Sequence, residues 1–132
     1  MVLGVDYYPE QWPEAMMEAD LQRMVELGCN VIRIGEFAWH RMEPREGAYD
    51  FSFFDRVIAM AKRKGLRVIF GTPTATPPAW LIHKHPDILS QFETGAPRAF
   101  GGRHVYCFSS PIYRSYCEKI VTALARHYRK EK

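Results

Sequence analysis

A chain of 132 residues, 47% of them hydrophobic, has the length of one ordinary domain and enough apolar material for a core. Its 18 Lys and Arg against 15 Asp and Glu leave a net charge of +3, and apart from the terminal "RHYRKEK" the basic residues are dispersed, which argues against a nucleic-acid partner. No stretch reaches the roughly 18 to 20 apolar residues of a membrane span, and "MVLGVDYYPEQW" has neither the basic head nor the apolar run of a signal peptide, so no membrane partner and a cytoplasmic location are expected. The three cysteines, Cys29, Cys107 and Cys117, show no paired metal or redox spacing, and a disulfide framework is not expected.

"MVLGVDYY" is short, apolar and β-prone, and Pro9 and Pro13 in the following loop exclude further pairing, so a first strand should end near Tyr8. From Pro13 to Gly28, Met17, Leu21, Met24, Val25 and Gly28 recur at helical spacing, with Glu14 and Glu18 early and Gly28 as a stop. "NVIRIG" reads as the second strand. A second helix runs from about Phe51 to Gly65, with Phe54, Ile58 and Ala61 inward, Asp50 or Ser52 as cap, and Lys62, Arg63 and Lys64 in its last turn. "RVIFGTP" is the third strand. After a long segment, residues 72–109, Ser110-Pro111 opens a third helix to about Arg129, with Tyr113, Cys117, Ile120 and Leu124 inward.

Three strand-then-helix units with nearly continuous apolar strands indicate an α/β protein with a parallel sheet, since parallel strands need crossovers and are covered on both faces. An open doubly wound sheet and a (β/α)8 barrel both fit that pattern. The turn after the first strand decides between them: "DYYPEQWP" has no glycine to bring backbone close to a phosphate, which removes the nucleotide-binding reading. The strand ends are followed instead by Asp6, Tyr7 and Tyr8, by Arg33, Glu36 and Trp39, and by Thr72, Thr74 and Trp80. Carboxylates, a guanidinium and aromatic faces gathered at one end of parallel strands suit a sugar site.

On "LGVDYYPEQWP", "VIRIGEFAWHRMEPREGAYDF", "GTPTATPPAWL" and "GGRHVYCFSSPIYR" the chain resembles the N-terminal part of family 42 glycoside hydrolases, β-galactosidases with a (β/α)8 catalytic barrel, over nearly its whole length. The resemblance implies the first three β/α units of a TIM barrel, incomplete in this chain, with residues 1–132 as one segment and no internal domain boundary. It implies retaining hydrolysis of terminal β-D-galactosides, or of related oligosaccharides, without a required cofactor. Both catalytic glutamates of the family lie beyond Lys132, so the isolated segment is expected to be inactive. The family often has Cys where this chain has Asp6, which leaves the role of Asp6 open.

By the same resemblance Arg33 and Arg103 are substrate-binding residues, and Glu36, Trp39 and Trp80 are possible lining. From the residues alone Arg33 reads equally as half of a structural ion pair, with Glu36 one candidate partner, and Arg103 as a solvated loop charge. The two tryptophans suit packing better than stacking on a sugar. Glu36 and Glu43 are not the catalytic pair, because the family uses neither position and Glu43 belongs to a loop that sets up the next helix. His40, His83, His85, His104 and His127 include no i, i+4 metal pair, and "HKHP" reads as a helix end. Some family members hold a structural zinc through a cysteine at Cys107, whose partners would lie outside this chain. Two further readings stay open: a non-catalytic sugar-binding or assembly module whose strand edges pair with the rest of a barrel or self-associate, and a clan relative acting on another glycoside such as an α-L-arabinoside.

Overall fold

The computed structural model describes residues 1–130. Among them Gly4–Asp6 (β1), Val31–Ile34 (β2) and Arg67–Phe70 (β3) form one parallel sheet in the order β1-β2-β3. Val5 pairs with Ile32 and Ile32 with Val68, while Asp6, Arg33 and Ile69 lie side by side one residue further on. Since successive strand residues face opposite ways, that register places Ile32 and Ile34 on one face and Asp6, Arg33 and Ile69 on the other.

Two compact units emerge from the contacts, Met1–Glu36 with Phe51–Gly71 and Phe37–Asp50 with Thr72–Lys132. The first holds the sheet and two helices, Met17–Glu26 (α1) and Ser52–Arg63 (α3). Phe53, Phe54, Val57, Ile58 and Ala61 of α3 are buried, and Phe54 meets Phe70 of β3 edge-on at 5.2 Å. Both helices stop on a left-handed glycine. The Gly28 amide donates to the Val25 carbonyl and the Cys29 amide to Met24; the Gly65 amide donates to Lys62 and the Leu66 amide to Ala61. Each pair of bonds closes a Schellman motif on carbonyls that the helix leaves unpaired. Salt bridges run from Lys64, just past α3, to Glu18 of α1 (2.6 Å) and from Arg56 of α3 to Glu14, just before α1 (3.2 Å).

The second unit contains the short helix Trp39–Met42 (α2), Ala79–Lys84 (α4) and the long helix Pro111–Tyr128 (α5). Ser110 caps α5, its hydroxyl accepting the Tyr113 amide at 3.2 Å with Pro111 in the first turn, as the sequence indicates. His85 terminates α4, which agrees with "HKHP" as a helix end.

Several expectations need correction. Residues Glu14–Met16 form a 3-10 turn, and α1 proper begins at Met17. The cap position of α3 is Phe51, not Asp50 or Ser52, and its side chain makes no capping bond. On α5 Tyr113, Ile120 and Leu124 are buried as expected, but the fourth buried position is Tyr116, while Cys117 is only partly buried. β1 and β3 are not covered on both faces: Val5 is 39% and Ile69 54% exposed. The long segment 72–109, to which only a helix end at "HKHP" was assigned, contains α4, a 3-10 turn at Pro86–Ile88 and the bridges Leu89↔Tyr106 and Gln91↔Pro97.

Candidate functional site

In the first unit the site is built around Arg33. A β-strand side chain that carries a charge needs a wet end, and Arg33 is 40% exposed, on the face it shares with Asp6 and Ile69. Its guanidinium lies 2.7 Å from the Glu36 carboxylate and 3.7 Å from Asp6, so it joins the end of β1 to the turn after β2. Glu36 reaches back three residues because Gly35 turns the chain with φ +87, a conformation in which L-residues are strained, and a Cβ there would collide with the Phe70 ring. The Gly71 amide donates to the Ile34 carbonyl at 2.8 Å, closing the same corner. A hollow of about 250 Å³ lined by Gly4, Val5, Asp6, Val31, Arg33 and Ile69 opens beside the guanidinium. Next to it the Tyr7 amide donates to the Arg33 carbonyl at 2.8 Å and the Tyr7 hydroxyl to Asp20 at 3.3 Å. Burial first, then the Asp20 charge, pushes the Tyr7 hydroxyl well above the ordinary tyrosine range, so it stays a donor.

The tryptophans belong to the second unit, and both are held by Glu43. This carboxylate is only 2% exposed. One of its oxygens accepts the Trp39 indole N–H at 2.7 Å and the other the Gly47 amide at 2.8 Å, while its backbone carbonyl accepts the Trp80 indole N–H at 2.9 Å. A buried carboxylate is tolerable when charge-assisted donors surround it, and Tyr49 adds its hydroxyl. Trp39 is fully buried and tilts against Tyr113 at 6.0 Å; Trp80 meets Tyr116 edge-on at 5.8 Å. Tyr116 donates to Glu46 at 2.9 Å, and Lys84 bridges to the same carboxylate at 2.5 Å. The hydrogen bond from Lys84, then that from Tyr116, holds the Glu46 carboxyl below its usual range. Both tryptophans thus have ring and hydrogen-bond partners inside the unit, Trp39 fully buried and Trp80 partly exposed, with Glu43 bonded to each.

Arg103 lies in a glycine-containing loop, its guanidinium carbon 5.1 Å from the centre of the Phe37 ring, while its Nε donates to His104 Nε2 at 3.1 Å. It lines a hollow of about 520 Å³ with Ser90, Gln91, Arg98, His104, Tyr106, Cys107, Phe108 and Ser109. Cys107 shares that hollow with two guanidinium groups and a single histidine, and among the described residues no group of three or more His, Cys, Asp or Glu could hold a metal ion. The residues present do not fit a zinc ion.

Glu36 was one candidate partner for Arg33 in the sequence, and the turn at Gly35 brings the two together. The Glu43 centre, Glu46 with Lys84 and Tyr116, and the contact of Arg103 with Phe37 were missed, because each joins residues whose approach depends on tertiary packing. For Glu43 the signal available was a Trp and a Glu four apart, the reach of one helical turn.

Comparison with known proteins gives the family of the chain. A family model described as β-galactosidase, glycoside hydrolase family 42, matches residues 6–132. A β-galactosidase of Thermus thermophilus is 50% identical over 127 residues, 96% of this chain and 20% of that protein. The β-galactosidase BgaH of Haloferax lucentense is 43% identical over 128 residues, 97% of this chain and 19% of that one. Among solved structures, the β-galactosidase of the psychrophilic Marinomonas ef1 superposes with a TM-score of 0.93 at 43% identity, covering 99% of this chain and 20% of that chain. The chain spans about a fifth of the length of the curated relatives it matches and corresponds to their N-terminal part. The unclosed parallel sheet with its helices is thus the first three β/α units of a (β/α)8 barrel.

Proposed function

Because this chain belongs to glycoside hydrolase family 42, we propose that it supplies sugar-binding groups to a retaining β-galactosidase that hydrolyses terminal β-D-galactosides, and that it carries neither catalytic carboxylate itself. The observation that supports this most is Arg33, a cation placed inside a strand and held by Glu36 at 2.7 Å with its head in an open hollow. A fixed planar donor suits a pair of sugar hydroxyls. In this reading Arg33 and Arg103 donate to the sugar, Glu36 fixes Arg33, and Trp39 and Trp80 shape the scaffold without touching substrate. Retaining hydrolysis needs a nucleophile and a proton donor about 5 to 5.5 Å apart. Neither water nor either carboxyl is a redox partner, so no cofactor is called for.

The experiment is a paired one on the purified chain. Galactose titration by calorimetry should show weak binding that Arg33→Ala reduces by about tenfold, the equivalent of a charge-assisted hydrogen bond. An activated aryl β-galactoside should give no turnover above the buffer blank, since proton transfer alone contributes roughly 10² to 10⁴-fold and its donor is missing. Turnover that survives repurification and disappears in Glu36→Gln would overturn the reading and make Glu36 catalytic. The exposure of Val5 and Ile69 on edge strands favours a second property, self-association through those edges, which sedimentation would register as a species heavier than the monomer.

A further inference from the structure

We propose that His104 is a positioning residue for Arg103: its imidazole accepts the Arg103 Nε–H and so fixes the plane in which the guanidinium presents its terminal nitrogens. The inference rests on the reading of Arg103 as a sugar donor. Adjacent side chains in a strand point to opposite faces, so they rarely bond to each other. Here they meet because His104 occupies the left-handed region, with φ 54, the one non-glycine residue among those described to do so. The backbone strain is set against three contacts made by that residue. Its amide donates to the Ala75 carbonyl at 3.2 Å, its Nε2 takes the Arg103 Nε–H at 3.1 Å, and its Nδ1 lies 2.9 Å from the Tyr106 hydroxyl. A strained conformation held by specific contacts marks a place where side-chain placement matters.

The geometry also assigns the tautomer. Nε2 can accept only if it carries no proton, so the ring proton sits on Nδ1 and donates to the Tyr106 oxygen. Tyr106 is a firm anchor for that proton: it is buried and stacks on Tyr113 at 4.0 Å, and Tyr113 donates to the Thr74 carbonyl at 2.5 Å. The order of the chain Tyr113, Tyr106, His104, Arg103 thus runs from the buried end of α5 to an exposed guanidinium. The bond uses Nε alone among the five N–H donors of an arginine, and the other four are carried by the two terminal nitrogens that would face hydroxyl pairs.

The test separates this inference from the sugar-binding reading. Nitrogen-15 NMR of the chain should show the His104 ring protonated on Nδ1 and bare on Nε2; a proton on Nε2 overturns the proposal outright. His104→Gly removes the ring while relieving the positive φ, so the fold should hold, with the circular dichroism of α5 as control. In that variant the Arg103 Nε–H should exchange with water about tenfold faster, as a lost hydrogen bond requires. An unchanged exchange rate refutes the positioning role. Galactose affinity should fall about five- to tenfold in the same variant, and a change below twofold with binding intact in the parent also refutes it. Absence of galactose binding in the parent would sink the sugar reading of Arg103, and the proton placement and exchange rate would still decide whether the ring orders the guanidinium.

Discussion

Removing the Glu43 carboxylate should unravel the second unit more than any surface change could. The side chain is 2% exposed and accepts the Trp39 indole at 2.7 Å and the Gly47 amide at 2.8 Å. Each is a hydrogen bond to a charged acceptor, contributing roughly 1.5 to 3 kcal/mol, so Glu43→Ala should cost about 3 to 6 kcal/mol. Against a total stability of about 5 to 15 kcal/mol for a domain this is a large fraction, equivalent to a fall in Tm of roughly 10 °C or more. Glu43→Gln keeps one oxygen but turns an amide NH2 toward a donor, and should lie between the parent and the alanine variant, at about 1 to 3 kcal/mol. Urea unfolding followed by tryptophan fluorescence measures both, and emission from Trp39 should move to longer wavelength in the alanine variant as its N–H finds water. A loss below about 1 kcal/mol for Glu43→Ala, with unchanged emission, would refute the view that this carboxylate organises Trp39 and the Gly47 turn.

Gly35→Ala should destabilise by about 2 to 4 kcal/mol in thermal melts, from the strain of its positive φ and the clash with Phe70, whereas Gly28→Ala, with φ +84 and no atom within 4 Å of the new Cβ, should show the conformational part alone, about 1 to 2 kcal/mol. Equal losses for the two would remove the contact with Phe70 from the account. In an alkaline absorbance titration Tyr7 and Tyr113 should ionise only well above the ordinary tyrosine value, because burial raises both hydroxyls in the folded state. A raised folded value means that the stability they confer is complete below the ordinary tyrosine value of about 10 and is lost as pH climbs above it, so unfolding should accompany their ionisation. Ionisation of Tyr7 and Tyr113 near the ordinary tyrosine value with the fold intact would contradict the burial of both.

What the amino-acid pattern made legible was local. Gly28 and Gly65 stop their helices through bonds to carbonyls within the preceding turn, and Ser110-Pro111 starts the last one through a bond to an amide three residues on. Short-range chemistry of that kind is written in adjacent letters. The four-residue helix at Trp39–Met42 was not, because one turn of helix has too little periodicity to read and is held by Glu43 and its tryptophan. Periodicity placed Cys117 inward on α5 where Tyr116 lies buried, since a stripe drawn at every third or fourth residue fixes a helical face only to within about one position. Likewise the left-handed conformation of His104 could not be read in advance, since only a small share of histidines adopt it even though the type does so more often than most.

The tolerance of a charge inside β2 follows from the glycines around it more than from the arginine. An arginine midway along a parallel strand would be costly to cover, and Arg33 escapes by keeping 40% of its side chain in contact with solvent while Glu36, 14% exposed, stands over it. Glu36 can stand there only because Gly35 reverses the chain at a φ of +87 and because Gly71 leaves room: a Cβ at Gly71 would come within 3.3 Å of the Ile34 carbonyl and 3.4 Å of the Glu36 Cα. Two residues without side chains, at the ends of adjacent strands, thereby set the separation of two residues with charges. Substitution at either glycine should accordingly weaken galactose binding through Arg33 even though neither touches the sugar in the proposed reading, and the loss should exceed what the change in stability alone accounts for. Such a coupling is what distinguishes a corner built to aim a guanidinium from an ion pair that merely closes a loop.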